Sequence, residues 1–292
     1  MDLVSEKVVR QFIEDGFAVI PGFLSPSEVA DLKAATNEVV SDYCKDSQIS
    51  IFRNQSRDTY FAESGDKIRG FYEEGAIDKA GCLRVEKAED GLNKVGHALH
   101  TFHPTFRRIT FSSKVKEVLK RLTSIKEATI NQSMVIFKHP KVGGVVIPHQ
   151  DATYLYTDPT PGTLVGFWIA LDEATKLNGC LHFFAGSHKA KKVYQRFIRN
   201  QDKSSETLFV HTGEPVPKLP SGTLVPATCK PGDLVVIDGL VIHQSEPNTS
   251  DQPRMAYTFH VIDGSVSYSS ENWLQPTSAN TFEKLNDVDV QA

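Results

Sequence analysis

The chain has 292 residues, 40 % of them hydrophobic and 23 % charged, with a formal net charge of −4. That is ordinary globular composition, and a chain this long buries enough apolar surface to fold without disulfides or a structural metal. The small negative charge and the lack of a long basic stripe argue against a protein built to bind nucleic acid, and no apolar run reaches the length of a membrane span.

In chain order, a helical N-terminal part of about residues 1–128 comes first. Val8 to Ile13 is amphipathic, stops near Gly16, and leads into a strand at Phe17-Ala18-Val19-Ile20. Ser25-Pro26-Ser27-Glu28 is a helix start, in which Ser25 caps, Pro26 suits the first turn and Glu28 completes a capping box. Val29, Leu32, Val39, Val40 and Tyr43 then recur at helical spacing. Residues 44–90 are polar and turn-rich and read as irregular. The four cysteines, Cys44, Cys82, Cys180 and Cys229, form no CxxC pair and read as reduced thiols. Met1 to Ser5 has no signal-peptide pattern and Val290-Gln291-Ala292 is not a peroxisomal tripeptide, so a cytoplasmic protein is expected, with a peroxisomal one the alternative.

From about residue 129 to 265 the texture changes to short strand-like runs: Ser133 to Phe137, Leu164 to Ala170, Gly179 to Phe184, Leu234 to Ile237 and Arg254 to Val261. Gly143-Gly144, Pro159 to Gly162, Asn178-Gly179, Pro231-Gly232 and Asp238-Gly239 punctuate them as turns. Many short strands without βαβ alternation predict a mainly β fold, a sandwich or jelly-roll barrel, in one domain over residues 1–292.

His149-Gln150-Asp151 carries the chemistry. Residues two apart on a strand share a face, so an imidazole and a carboxylate converge there. His243 follows the apolar run Leu234 to Ile237, and two histidines with one carboxylate form the facial triad that holds non-haem iron(II) with open positions. A His-x-Asp triplet alone is weak evidence, since chance supplies one in roughly every third chain of this size. Arg254 adds support. It lies eleven residues after His243 across a turn-rich stretch, a spacing that suits a hairpin returning it beside the metal. From there Arg254, Ala256, Thr258 and His260 alternate with Met255, Tyr257, Phe259 and Val261, one face for a wet cavity and one for packing outside a barrel. A buried arginine is costly unless a carboxylate meets it, and the distal carboxylate of 2-oxoglutarate would do so.

With these residues in view, the chain resembles the phytanoyl-CoA dioxygenase family. Asp15-Gly16-Phe17 with Pro21 to Leu24, Asn178-Gly179-Cys180-Leu181 with Ala185-Gly186-Ser187-His188, Pro231-Gly232-Asp233, and His243-Gln244-Ser245 through Asn248 to Arg254 match its signature blocks, with Ala185 where proline is usual. Gly65 to Arg69, Asn93 to His100 and Glu271 to Thr277 point to one branch within it. The resemblance implies a double-stranded β-helix (jelly-roll, cupin-like) core with N-terminal and flanking helices, iron(II), and 2-oxoglutarate as co-substrate. It implies that Lys94, Met134, Trp168, Ser245 and Arg254 line the co-substrate site and that His149, Asp151 and His243 are the metal-binding and catalytic set. Lys94 and Ser245 make sense as donors to carboxylate oxygens, and Ser245 shares the strand face of His243. On the residues alone, Met134 and Trp168 also suit a strand core and Lys94 a surface. Related halogenating enzymes lack the carboxylate ligand, so Asp151 favours hydroxylation or demethylation-type chemistry.

His97, His100 and His103 recur every third residue and read as a partly exposed helix end, not as a second metal cluster. His188 reads as structural, and His260 as a hydrogen-bonding group in the cavity. Lys189, Lys191, Lys192, Arg196, Arg199 and Lys203 read as a solvated, mobile loop, with the phosphates of a CoA ester as the alternative ligand. Two functions follow: an oxygenase that couples 2-oxoglutarate decarboxylation, with oxygen and with stimulation by ascorbate expected, to oxidation of a small-molecule or acyl substrate, or a 2-oxoglutarate-binding protein without turnover. Phytanoyl-CoA or acyl-CoA 2-hydroxylation is the alternative within the first.

Overall fold

Helix α1 (Glu6–Asp15) ends where the sequence has a glycine. Gly16 takes the left-handed conformation (φ 82°) and donates its N–H to Phe12 O, which turns the chain into strand β1 (Phe17–Ile20). A side chain at Gly16 would also strike the His188 ring, its Cβ 2.5 Å from Nδ1. The computed structural model describes residues 3–45, 49–53, 58–160, 162–202, 204–218 and 223–290. Met1, Asp2, Pro161, Lys203, Gln291 and Ala292, used in the reading above, lie outside them. Helix α2 (Pro26–Lys45) starts on the expected box: Glu28 N–H donates to Ser25 Oγ at 3.2 Å, and Ser25 N–H to Glu28 Oε2 at 2.7 Å.

The described residues of 44–90 contain regular structure, and the part before residue 129 is not only helical. After β2 (Ile51–Phe52) and the short α3 (Thr59–Ala62), strands β3 (Ile68–Glu73) and β4 (Leu92–His97) pair antiparallel and extend the main sheet. Gly70 to Glu73 are all buried, so β3 shows no polar alternation to read. Helices α4 (Leu99–Phe102), α5 (Pro104–Thr110) and α6 (Ser113–Leu122) follow.

The β region contains β5 (Ala128–Lys138), β6 (Val146–His149), β7 (Thr157–Asp158), β8 (Leu164–Ala170), β9 (Leu181–Phe183), β10 (Gln195–Arg199), β11 (Phe209–Gly213) and β12 (Val225–Ala227). It closes with β13 (Leu234–Asp238), β14 (His243–Ser245), β15 (Arg254–Asp263) and β16 (Ser267–Tyr268). An eight-stranded sheet runs β1-β13-β8-β15-β5-β4-β3-β2, and a four-stranded sheet runs β12-β9-β14-β6. The two contribute the walls of one cavity, the double-stranded β-helix arrangement.

Period-two alternation distributes the large sheet's side chains between two cores. Phe167, Ile169, Val236, Tyr257, Phe259 and Val261 belong to the cluster shared with α1, α2, α5 and α6. Trp168, Ala170, Val235, Ile237 and Ala256 pack inward with Leu181 and Phe183 of the small sheet. The split predicted for residues 254–261 is therefore present. Among the described residues no helix is long and apolar enough to cross a membrane.

Candidate metal and co-substrate site

His149 ends β6, and His243 opens β14 directly opposite it in the small sheet. Asp151 is not on a strand. The chain leaves β6 at His149, and Asp151 begins a single 3-10 turn, Asp151–Thr153, so the turn and not strand alternation brings the carboxylate round. Gln150 fixes that turn from the far side. It is fully buried, its Nε2 donates to Lys192 O and Leu240 O, and its Oε1 accepts from Tyr194 N–H.

Asp151 Oδ1 lies 3.9 Å from His149 Nε2 and 3.6 Å from His243 Nε2, and one ligand atom from each residue falls within 4.8 Å of the others. Each imidazole donates Nδ1–H to the carbonyl two residues back, Ile147 O at 2.8 Å and Val241 O at 3.1 Å. A carbonyl can only accept, so both Nε2 lone pairs are left facing Asp151. Burial, then the neighbouring His243, lowers His149 to about 4, which keeps it neutral. Burial alone would raise the Asp151 carboxyl, but His260, His243 and His149 together hold it below the usual carboxylate range. Two neutral imidazoles and one carboxylate, close and mostly shielded from solvent, are a donor set that fits a divalent transition metal such as iron(II). His260 Nε2 stands 3.3 Å from the other Asp151 oxygen, on the cavity wall where it was expected, a charge–dipole approach and not a formed hydrogen bond.

Arg254 opens β15 and is 2 % exposed. Its Nη2 donates to Gly179 O at 2.9 Å and approaches Ser245 Oγ at 3.3 Å, while Nε and Nη1 are buried without a partner. Burial draws its pKa down to about 10, still charged at neutral pH. The Trp168 ring lies 5.3 Å from the guanidinium carbon. The path to this position is not a hairpin. β14 already has β6 and β9 on its two sides, so residues 246–253 carry the chain across to the large sheet, where β15 pairs with β5 and β8. Lys94, Met134, Trp168, Ser245 and Arg254 all line the cavity of about 430 Å³ that holds the triad. Lys94 Nζ sits 3.4 Å from the Phe52 ring centroid.

Two contributors went unread. Gly166, inside β8, faces Asp151, and a Cβ there would come 2.9 Å from Oδ2. A glycine within an apolar strand was the available signal of a close approach. Lys138, 1 % exposed, donates to Gly144 O, Ser245 O and Glu246 O and so ties the end of β14 to the cavity loop at Gly144. The other histidines fall elsewhere. His97 and His100 are buried, not partly exposed, because Ser64 and Ser133 hydroxyls meet their Nδ1 atoms at 2.8 and 2.7 Å. His188 Nε2 meets Ile13 O at 3.1 Å, a structural role.

The basic stretch is a loop only in part: Lys189, Lys191 and Lys192 lie in an exposed turn and coil, whereas Gln195–Arg199 is strand β10, paired with β11, with both arginines half-buried. Arg196 lies 4.0 Å over the Tyr156 ring, Arg199 donates to Trp273 O, and Lys192 pairs with Glu214.

A family model described as Phytanoyl-CoA dioxygenase (PhyH) matches residues 12–256. The chain is 40 % identical to phytanoyl-CoA dioxygenase domain-containing protein 1 of Danio rerio, over 98 % of this chain and 99 % of that one. It is also 40 % identical to the Caenorhabditis elegans homolog of that protein, over 94 % and 97 %. Among solved structures, EctD from S. alaskensis with 2-oxoglutarate and 5-hydroxyectoine superimposes with a TM-score of 0.63 at 18 % identity, covering 96 % of this chain and 87 % of that one. This last likeness is one of fold.

Proposed function

Because the chain belongs to the phytanoyl-CoA dioxygenase family, we propose that it is an iron(II)- and 2-oxoglutarate-dependent oxygenase with His149, Asp151 and His243 as the metal ligands. One observation carries the reading: the same cavity contains a convergent donor triad and a buried guanidinium with two unpartnered nitrogens. When bound, iron(II) and 2-oxoglutarate supply oxidative decarboxylation to succinate and carbon dioxide, coupled to oxidation of a substrate carbon. The protein's part is to hold and shield. The carbonyls of Ile147 and Val241 fix the ligating tautomer of each histidine. Arg254 offers a planar fork to the distal carboxylate, with Ser245 beside it and Lys94 as a second cation on the wall. Met134 and Trp168 keep that end apolar, which strengthens the ionic contact. Aspartate at position 151 occupies the place a halide would need, which favours hydroxylation as the outcome.

The test is succinate formation from 2-oxoglutarate with iron and ascorbate and no added substrate. Slow, iron-dependent turnover is expected. His149→Ala and Asp151→Ala should abolish it while the protein stays folded by circular dichroism. Full activity in either purified variant overturns the assignment.

A further inference from the structure

The cavity extends into a chamber that the metal and co-substrate residues do not account for. Phe61, Tyr154, Phe197 and Trp273 wall it, with His97 beside them. The Phe61 and Trp273 rings lie 4.6 Å apart, and the His97 ring stands edge-on 5.0 Å from Trp273. None of the five is a carboxylate, an amine or a guanidinium.

Gln132 lines the same cavity. It is 5 % exposed, yet its carboxamide makes no hydrogen bond to any described residue. Its amide atoms face the cavity with no protein partner, so only cavity water or a bound ligand can meet them there. The position is specific. Gln132 sits opposite His260 in the β5–β15 register, and His260 reaches Asp151. Arg254 lies six residues along the same strand, roughly 20 Å away. Gln132 therefore stands beside the triad, at the end away from the co-substrate arginine.

We propose that Gln132 is the polar contact for the primary substrate. The substrate class is a small, uncharged, planar ring with a donor and an acceptor side by side on one edge, as in cyclic amides and imides. A carboxamide presents N–H and C=O together, and such an edge satisfies both at once. Flat faces stack on aromatic walls, whereas a flexible alkyl chain would leave Gln132 unpaired. A charged group finds no counterion among the five wall residues. The cavity of about 430 Å³ is shared with 2-oxoglutarate, which limits the substrate to a small molecule. This inference rests on the oxygenase reading, which supplies both the primary substrate's role and the co-substrate's share of the space.

Uracil and 1,3-dimethyluracil serve as probes, because methylation blocks both N–H donors and keeps the ring. Each is titrated calorimetrically into anaerobic protein loaded with iron and 2-oxoglutarate. Uracil is expected to bind at least about ten-fold more tightly than its dimethyl derivative. In Gln132→Met that preference should disappear. Equal affinity for the two rings in the wild-type protein overturns the proposal, and so does a preference that survives in Gln132→Met. If the variant does not fold, the wild-type comparison decides alone. Uracil failing to bind protein that does bind 2-oxoglutarate sinks this inference only, whereas absence of 2-oxoglutarate binding sinks the oxygenase reading with it.

Discussion

Arg254 is a charge held at 2 % exposure by one carbonyl and one hydroxyl, with two nitrogens unmet. If the distal carboxylate of 2-oxoglutarate meets them, Arg254→Ala should weaken 2-oxoglutarate by about 2–5 kcal/mol, roughly thirty- to several-thousand-fold, with iron binding nearly intact. Arg254→Lys should restore only part, since an ammonium lacks the planar fork. Anaerobic titration of 2-oxoglutarate against pyruvate, which has no distal carboxylate, reads this directly. Should the preference survive in Arg254→Ala, Lys94 becomes the clamp. Gly166 permits the opposite experiment, on the metal alone. Its missing Cβ would stand 2.9 Å from Asp151 Oδ2 and 3.4 Å from Ile237 Cβ, so Gly166→Ala must displace the carboxylate. Iron affinity should fall by about ten-fold while 2-oxoglutarate-independent stability changes little; unchanged iron affinity would mean that Asp151 yields freely. The contrast between these residues is physical. A charge at the start of a half-apolar strand demands a partner, so Arg254 was legible in the sequence. A glycine in a strand announces a close approach without saying what approaches.

At the scale of elements, uninterrupted apolar runs such as β8 and β13 were readable, and strands that mix buried polar with apolar residues were not. β15 alternates cleanly because its inner face lines the cavity, whereas β3 and β4 carry apolar residues next to Lys94, Asn93 and Glu73, so β3 read as irregular and β4 as part of a helical region. Strand alternation gave the right partners for the wrong reason at His149 and Asp151, since a 3-10 turn makes the convergence. Helix α4 shows the same limit. His100 read as half-exposed, yet it is fully buried, with Nδ1 on Ser133 Oγ and Nε2 unpartnered. Burial lowers its pKa to about 3, against about 6.5 in an unfolded chain. Between these values the unfolded state binds the extra proton, so stability falls as pH drops from about 6.5 towards 3. His100→Leu should be less stable at pH 7, where it removes the imidazole partner of the Ser133 hydroxyl and leaves only the backbone N–H of residue 100 on it, but should lose less on acidification. Urea unfolding midpoints at pH 7 and pH 4.5 give the comparison; an identical pH dependence in the two proteins would show that His100 does not carry the effect.

For the whole molecule, the question is what size and charge of substrate the assembled barrel admits. A CoA ester brings phosphates that need cations in reach, and the one basic stretch of the sequence was the candidate. In the folded chain three of its five described members are engaged elsewhere: Arg196 stacks on Tyr156, Arg199 bonds the Trp273 carbonyl, and Lys192 pairs with Glu214, while Lys189 and Lys191 stay exposed. An arginine held against a ring and a carbonyl cannot turn to a phosphate without losing both contacts. The interior sets a second limit. About 430 Å³ must hold 2-oxoglutarate and the reacting part of the substrate together, and packed aromatic rings line the wall past the triad. Phytanoyl-CoA, with a long branched chain on one side and an anionic nucleotide on the other, suits neither feature. The expected result is therefore that phytanoyl-CoA leaves 2-oxoglutarate turnover near its substrate-free rate and yields little 2-hydroxy product. Succinate and hydroxyacyl product measured in the same reaction separate the outcomes, because an uncoupled stimulant raises succinate alone. Stoichiometric hydroxyacyl-CoA at the rate of 2-oxoglutarate consumption would mean that the β10–β11 hairpin opens to admit the thioester, and that the arginine contacts seen here are those of a closed state.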